Sequence, residues 1–389
     1  MDGRIQATAG GPTISAVNAS LPTDEALRAA LAGLLDGLPP SQAARAVERL
    51  IANYRGATPT GTPLLRDRSD VAAYAAYRMP ATFEAVRSAL EALAFAAPGW
   101  VPASHVDVGG GTGAAVWAAE ATWPDQGDGA RDGDDGDDTD AGGGPGGRTT
   151  TVLDWAEPAL ALGRELATGS RVPALRDVEW RRTRIGTGLK LPECDLVTVS
   201  YVLNELTDAD RAALVAETAR AGQAVVIVEP GTPDGYERVI EARDVLIGAG
   251  LRVAAPCPHS GACPIEPGTD WCHFAARVSR SSLHRQVKGG SLAYEDEKFS
   301  YVAAVRFDAE PVRARVTRKP QTRKGQMLLD LCTESDGLRR ETVSKRHGPL
   351  YRSARDASWG DAWPPHDARR DHAPDRSTDQ SPDRSPESG

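Results

Sequence analysis

Residues 105–123 constrain this chain more than any other stretch. They read His105-Val106-Asp107-Val108-Gly109-Gly110-Gly111-Thr112-Gly113 and then continue small and apolar to Trp123. Residues 105–108 have the length and character of a buried strand, and the residues after the glycines read as a helix. Glycines at such a junction let the backbone turn sharply and let a ligand approach with no Cβ in the way. The alternation then resumes. Strands are predicted over 150–153, 196–200, 225–229 and 251–254, with helices over 157–167, 208–221 and 234–249, and a later strand over 298–306. Strands and helices alternating through short loops make an α/β protein with a doubly wound, Rossmann-like parallel sheet.

The flanking regions divide the chain of 389 residues. Residues 1–20 are Ala/Gly/Ser/Thr-rich and read as a flexible N-terminus. Residues 21–98 read as an all-helical region. Thr23 is the expected N-cap of a first helix carrying Leu27, Leu31, Leu34, Leu35 and Leu38, Ser41 caps a second, and Pro80 breaks a third over 69–96. The core spans 99–255. Residues 125–149 within it are Gly- and Asp-rich and too polar to offset the entropy of ordering, which predicts a disordered acidic insertion. This run lacks the D-x-D-x-D-G spacing with a following Glu, so a solvated loop fits it better than a calcium site. Residues 256–363 form a cysteine loop, the last core strand and a basic C-terminal extension. Residues 364–389 read as a disordered tail.

Charge separates these regions. The net charge is −9, yet 125–148 hold eight Asp against two Arg, and 366–389 hold six acids against four Arg. Residues 277–355 hold eighteen Lys and Arg against nine Asp and Glu. The acidic whole therefore contains a basic part, and 311–324 carry six Lys or Arg and no acid. Such a strip attracts phosphates irrespective of sequence; a solvated charged face is the alternative. No run is long and apolar enough for a membrane span, and the first twenty residues lack the pattern of a signal or transit peptide. Five Cys are too few for a disulfide scaffold of this size, which leaves a reducing cytoplasm as the expected compartment.

Three of those cysteines share one loop. Residues 255–274 read APCPHSGACPIEPGTDWCHF, with five and then eight residues separating Cys257, Cys263 and Cys272. Pro and Gly surround them, and no apolar period accounts for them. Cys332 is the fourth candidate, while Cys194 fits packing. Four thiolates suit either zinc or an iron–sulfur cluster. The absence of C-x-x-C pairs and the remote fourth residue favour the cluster. His259 or His273 would complete a zinc site, although packing and RNA contact are the commoner roles for such residues.

The pattern Asp-x-Gly-x-Gly-x-Gly resembles the first motif of class I methyltransferases that use S-adenosylmethionine, and it differs from the dinucleotide G-x-G-x-x-G. The resemblance places Asp107, Gly109, Gly111 and Gly113 under the cofactor. It gives Asp154, at the end of TTTVLD, the ribose hydroxyls, with Glu157 as the alternative and a helix N-cap as the competing role for Asp154. Residues 200–206 read SYVLNEL and not Asn/Asp-Pro-Pro-Tyr, so Tyr201, Asn204 and Glu205 are only weak catalytic candidates.

The segments YAAYRMPATF (74–83), DVGGGTG (107–113), SYVLNEL (200–206), VEPGTPDG (228–235), PCPHSGACP (256–264), DWCHF (270–274), RSSLHRQVKGG (280–290) and YEDEKFSYVA (294–303) together resemble the small-ribosomal-subunit methyltransferase-like family. The resemblance covers roughly 40–363 without the insertion. It implies a methyltransferase fold binding S-adenosylmethionine and a four-iron four-sulfur cluster on Cys257, Cys263, Cys272 and Cys332. It also implies action on small-subunit rRNA or the pre-ribosomal small subunit. Arg277, Arg280, Arg285, Lys288, Arg313, Arg315, Arg318 and Lys319 are the expected RNA contacts. Two functions stay open on this reading: an rRNA methyltransferase, and a non-catalytic assembly factor that holds rRNA through a cluster-stabilised basic lobe.

Overall fold

The computed structural model describes residues 22–34, 41, 43–48, 68–124, 147–288 and 292–365. The expected flexible N-terminus, nearly all of the acidic insertion with its calcium question, the tail beyond Pro365 and the side chain of Lys288 lie outside the described residues.

Helix α1 (Thr23–Gly33) starts with Pro22 at the N-cap position, so Thr23 is its first residue and caps nothing. Helix α2 (Arg68–Ala96) runs unbroken through Pro80, against the expected break. Proline costs a helix about 3 kcal/mol by removing a donor and crowding the preceding turn. Here Met79, Ala81, Phe83, Val86, Ala89, Leu90 and Leu93 are all buried, and that packing outweighs the local penalty.

The main sheet has eight strands. They are β1 (Ser104–Val108), β2 (Thr149–Asp154), β3 (Glu179–Arg182), β4 (Cys194–Ser200), β5 (Gly222–Pro230), β6 (Arg252–Ala255), β7 (Phe274–Ser279) and β8 (Tyr294–Val305). The order is β3-β2-β1-β4-β5-β8-β6, with β7 paired to the first half of β8. Strands β1 to β5 are mutually parallel, and β8 runs antiparallel to β5 and β6. Between them lie α3 (Ala114–Thr122), α4 (Glu157–Thr168), α5 (Pro173–Arg176), α6 (Asp208–Ala221), α7 (Pro233–Gly248) and α8 (Ser282–Lys288). Thr207 and Thr232 cap α6 and α7 through their side-chain oxygens.

Strand residues divide between two faces with period two. Ala224, Val226 and Val228 pack with α2, α3 and α4, whereas Val225 and Ile227 pack with Leu214 of α6 and Val239 and Leu246 of α7. Both faces are covered, which is why these strands read as continuous apolar runs.

A second, five-stranded sheet follows, a structure the sequence reading left as a basic extension. It contains β9 (Ala314–Val316), β10 (Gln321–Arg323), β11 (Gln326–Thr333), β12 (Gly337–Ser344) and β13 (Ala362–Trp363), covered by α9 (Pro349–Asp356). Met327, Leu329 and Leu331 alternate inward and meet Val316, Val343, Ala354 and Trp363.

Trp117 of α3 is 1% exposed, in the core shared with α1 and α2. Truncating such a residue leaves a void that the surroundings fill only partly. Trp117→Ala is expected to cost about 3–5 kcal/mol, read as a lowered denaturant midpoint with an unchanged slope.

Candidate functional site

Strand order reverses at β1, between β2 on one side and β4 on the other. Ligands in open α/β sheets bind at such a point, beyond the carboxyl ends of the strands. The glycine turn after β1 and residues 201–205 after β4 both emerge there.

Each glycine of the turn has its own steric reason. Gly109, Gly111 and Gly113 hold φ of 70°, 53° and 83°. A Cβ on Gly109 would lie 2.2 Å from Val202 Cγ2, and one on Gly113 would lie 2.6 Å from Trp180 Cη2. Gly110, which the motif pattern leaves free, is equally restricted: its Cβ would come within 2.2 Å of Asp107 Oδ2. Gly111 differs. Its Cβ would meet only Asp154 Oδ2, at 3.8 Å, so this position faces open space beside that carboxylate.

Asp107 is fully buried beneath the turn and accepts a 2.7 Å hydrogen bond from Thr198 Oγ1, while its Oδ2 has no partner. Burial pushes its carboxyl up to about 7, against the Thr198 bond and aided by Asp154. Asp154 closes β2. Its Oδ2 accepts from the Gly111 amide at 2.9 Å and its Oδ1 from the Ala156 amide at 2.8 Å. The helix that follows takes Ala156 as its N-cap with no side-chain cap, so Asp154 does not cap it; it braces the turn into the helix and the glycine turn together, and a carboxylate keeps further lone pairs for a ligand's hydroxyls. Trp155, next in sequence, is 54% exposed with no core to fill. The sequence reading missed it, although LDW places an aromatic ring directly after the strand-end acid.

Among the catalytic candidates, Tyr201 sits at φ 60° and is turned away from proton transfer. Its hydroxyl donates to Glu297 Oε1 at 3.1 Å, and Glu297 is gripped by both Arg78 nitrogens, at 2.7 and 3.0 Å. The Arg78 guanidinium lies 4.9 Å from the Tyr201 ring centre. Burial, then the Glu297 charge, raises the phenol well above its ordinary range. Asn204 is exposed. Glu205 is water-accessible yet crowded, and that desolvation, with Asp154 and Glu229 nearby, lifts its carboxyl to about 7. Glu229, also missed, is fully buried, binds Arg238 at 2.8 Å and accepts from the Leu203 amide at 3.0 Å, which fixes the loop after β4.

The four cysteines converge from both sheets. Cys257, Cys263 and Cys272 come from the loop between β6 and β7, Cys332 comes from β11, and all four line one pocket. Its other walls include Tyr236 and Arg243 of α7 and Arg315 of β9. Tyr236 Oη is 3.2 Å from Cys263 Sγ. Burial first, and mutual repulsion second, push Cys332 up to about 12 and raise Cys272; burial also raises Cys257, opposed by Arg243 and Arg315. All five cysteines are free thiols. No group of three or more His, Cys, Asp or Glu among the described residues is arranged to hold a metal ion. His259 Nε2 lies 3.9 Å from Cys332 Sγ, and His273 stacks on Trp271 and meets Trp359 edge-on. Cys194 is buried away from this pocket.

The expected RNA contacts divide. Arg315 is 7% exposed, with its guanidinium on backbone carbonyls, so it faces the cysteine pocket and no surface. Arg280 pairs with Glu295 and Arg318 with Asp270, which commits both to the fold. Arg277 is exposed, stacked 4.1 Å over Tyr294 and near Asp296. Arg285, Arg313 and Lys319 are exposed. Arg323, Lys324, Lys345 and Arg346 are exposed as well, at the β10–β11 turn and just after β12; the Lys345 amide bonds the Gly325 carbonyl at 3.2 Å and joins the two segments. The pair Lys345 and Arg346 was missed because only the fold brings it to the 311–324 strip.

A sheet of this order, with an antiparallel strand inserted between β5 and β6 and a glycine turn after β1, defines a Rossmann-like fold of the class I methyltransferase type. The chain belongs to the mitochondrial small ribosomal subunit Rsm22 family, whose family model matches residues 68–130 and 145–364. It is 29% identical to the Homo sapiens mitochondrial ribosome assembly protein METTL17, over 75% of this chain and 62% of that protein. It is 21% identical to the Saccharomyces cerevisiae mitochondrial ribosome assembly protein RSM22, over 36% of this chain and 39% of that protein. The chain thus spans less than two thirds of the length of these relatives. Among solved structures, magnesium protoporphyrin IX methyltransferase from Synechocystis PCC 6803 with bound SAM is 13% identical, over 75% of this chain and 100% of that one, at a TM-score of 0.35.

These findings overturn the cytoplasmic expectation: the family and each of the named relatives are mitochondrial. No described helix is long and apolar enough to cross a membrane.

Asp107 yields a pH test. Its folded pKa lies above the unfolded value, so its contribution to stability is complete in acid and is lost as pH rises through about 7. Asp107→Asn removes that loss. Thermal melts are expected to show the variant gaining on the wild type as pH rises from about 4 to about 7, by up to about 1.4 kcal/mol per pH unit, and levelling off above that.

Proposed function

We propose that this chain is a methyltransferase-like assembly factor of the small ribosomal subunit, which binds S-adenosylmethionine at the glycine turn and rRNA through a basic second sheet. A four-iron four-sulfur cluster on Cys257, Cys263, Cys272 and Cys332 would fasten that sheet to the methyltransferase core. The observation that carries the reading is the cysteine pocket: four thiols, three from a loop of the main sheet and one from the second sheet, line one site. An inorganic cluster is larger than a single ion, and thiols spread over the walls of a pocket meet its demand better than that of zinc. Membership of a ribosomal family and the exposed Arg313, Lys319, Arg323, Lys324, Lys345 and Arg346 support the rRNA partner.

Gly111, the one turn position open toward ligand space, and Asp154 beside it fit the nucleoside and ribose of the cofactor. Trp155 would cover an aromatic base there. Gly111→Ala adds a single methyl where the cofactor would lie; it meets no atom of the free protein, although φ 53° strains any Cβ there, so the variant's unchanged thermal midpoint without ligand is the control. Calorimetry is expected to show the methyl donor binding the wild type and at least about tenfold weaker binding to Gly111→Ala. Cys263→Ser should instead lose iron, sulfide and visible absorbance, and with them small-subunit binding. Subunit binding lost in Gly111→Ala but kept in Cys263→Ser would reverse the assignment.

One observation favours methyl transfer as a second reading. Glu205 stands in the turn after β4 at the mouth of the crevice, close to Asp154 and Glu229, and its raised carboxyl is placed to accept a proton there. S-adenosylmethionine, when bound, supplies an electrophilic methyl group. Mapping rRNA methylation in cells carrying Glu205→Gln tests this reading, which requires a modification lost in the variant.

The basic surface has a test of its own. Phosphate contacts release counterions, so each one lost flattens the dependence of binding on salt. Lys345→Ala with Arg346→Ala is expected to weaken rRNA binding and to reduce the log–log salt slope by about 1 to 2. An unchanged slope would remove this end of the sheet from the interface.

A further inference from the structure

Two arginines are buried at the cysteine pocket, and nothing in its lining balances them. The Arg243 side chain is 2% exposed. Its Nη2 donates to the carbonyls of His259 at 3.1 Å and Gly261 at 2.6 Å, and its Nε is buried with no partner. Its ion pair is with Asp244, at 3.4 Å from Nη1, on a side chain 67% exposed to water. Arg315 donates through Nε to the Pro256 carbonyl at 2.9 Å and through Nη1 to the Gly360 carbonyl at 2.8 Å. It stands directly across the strand pair from Cys332. The pocket lining contains both arginines and four cysteines, but no Asp and no Glu.

Carbonyl dipoles satisfy donors but do not neutralise a charge. Guanidinium does not give up its proton, so a buried arginine calls for an anion nearby. A dication held by four thiolates, whether zinc or an oxidised four-iron cluster, retains two net negative charges. Two guanidiniums cancel them. The carbonyls they hold also matter: Pro256, His259 and Gly261 flank and separate Cys257 and Cys263, so the two arginines shape the loop that presents those sulfurs.

We infer that Arg243 and Arg315 are the built-in counter-ions of the cysteine centre, neutralising its two negative charges and favouring the more reduced, more negative state of the centre. This rests on the reading that the four cysteines hold an inorganic centre. It extends that reading to two residues outside the ligand set and to the redox poise of the site. Arg315 accordingly leaves the roster of RNA contacts and enters the centre's electrostatics.

The test uses the full chain, purified anaerobically with its centre in place, as wild type and as Arg243→Gln, Arg243→Lys, Arg315→Gln and Arg315→Lys. Iron, sulfide and zinc per chain are measured first, then the midpoint potential by redox titration followed by electron paramagnetic resonance. Each Gln variant is expected to shift the reduced-to-oxidised ratio about tenfold toward the oxidised form, which lowers the midpoint by about 59 mV for one electron. Lys, which keeps the charge, should retain the wild-type value. If the centre proves to be zinc, the readout is retention against a chelator, with each Gln variant losing metal about tenfold more readily. Should both Gln variants fail to fold while both Lys variants fold, the same need for charge is expressed in folding. Failure of the Lys variants as well, or Gln variants with unchanged potential and unchanged metal retention, would overturn the inference and leave the cluster reading standing. A wild type without iron, sulfide or zinc would overturn both.

Discussion

Strand β8 is the constraint on which the rest of the structure depends. Its second half is inserted antiparallel between β5 and β6, and its first half pairs with β7. The loop carrying Cys257, Cys263 and Cys272 therefore leaves the sheet at β6 and returns at β7 along one edge of the same strand. Both ends are pinned by backbone hydrogen bonds, and Ser300 of β8 donates to the Cys272 carbonyl at 2.8 Å. The other side of β8 faces the crevice at the glycine turn: Glu297 holds Arg78 of α2 and the Tyr201 hydroxyl. One strand thus fixes the geometry of the crevice at the glycine turn and of the cysteine pocket together.

The two sites use opposite electrostatics. At the glycine turn, Asp154, Glu205 and Glu229 gather around the crevice, and burial raises the pKa of each. Such surroundings suit a cationic ligand. At the cysteine pocket the charged side chains of the lining, Arg243 and Arg315, are positive. A centre bound there would join β11 of the second sheet to a loop of the first, so its formation and the placing of the basic surface would be one event.

Much of this was legible in the chain. Strands β1, β2, β4, β5 and β6 and helices α4, α6 and α7 fall within a few residues of their predicted spans, because both sheet faces are covered and the apolar periods are strong. The four cysteines were singled out by type and by the absence of an apolar period around them. The second sheet was not legible. In β11, QMLLDLCT, Leu328 fills the place between Met327 and Leu329 and masks the period of two, and β12, GLRRETVS, shows no alternation, so composition showed only a basic extension. The unbroken α2 was hidden by Pro80, whose local cost is overridden by contacts with distant residues.

Sequence alone determined the fold class, the glycine turn and the identity of the thiols, because each rests on residue type and local spacing. Only the tertiary structure decided what those residues face. It carried Cys332 across from another sheet to the loop cysteines and turned Arg315 inward to a pocket. It left Gly111 open to ligand space while Gly109, Gly110 and Gly113 are closed by Val202, Asp107 and Trp180. Burial and counter-charge are properties of neighbours in space, and a linear pattern does not contain them.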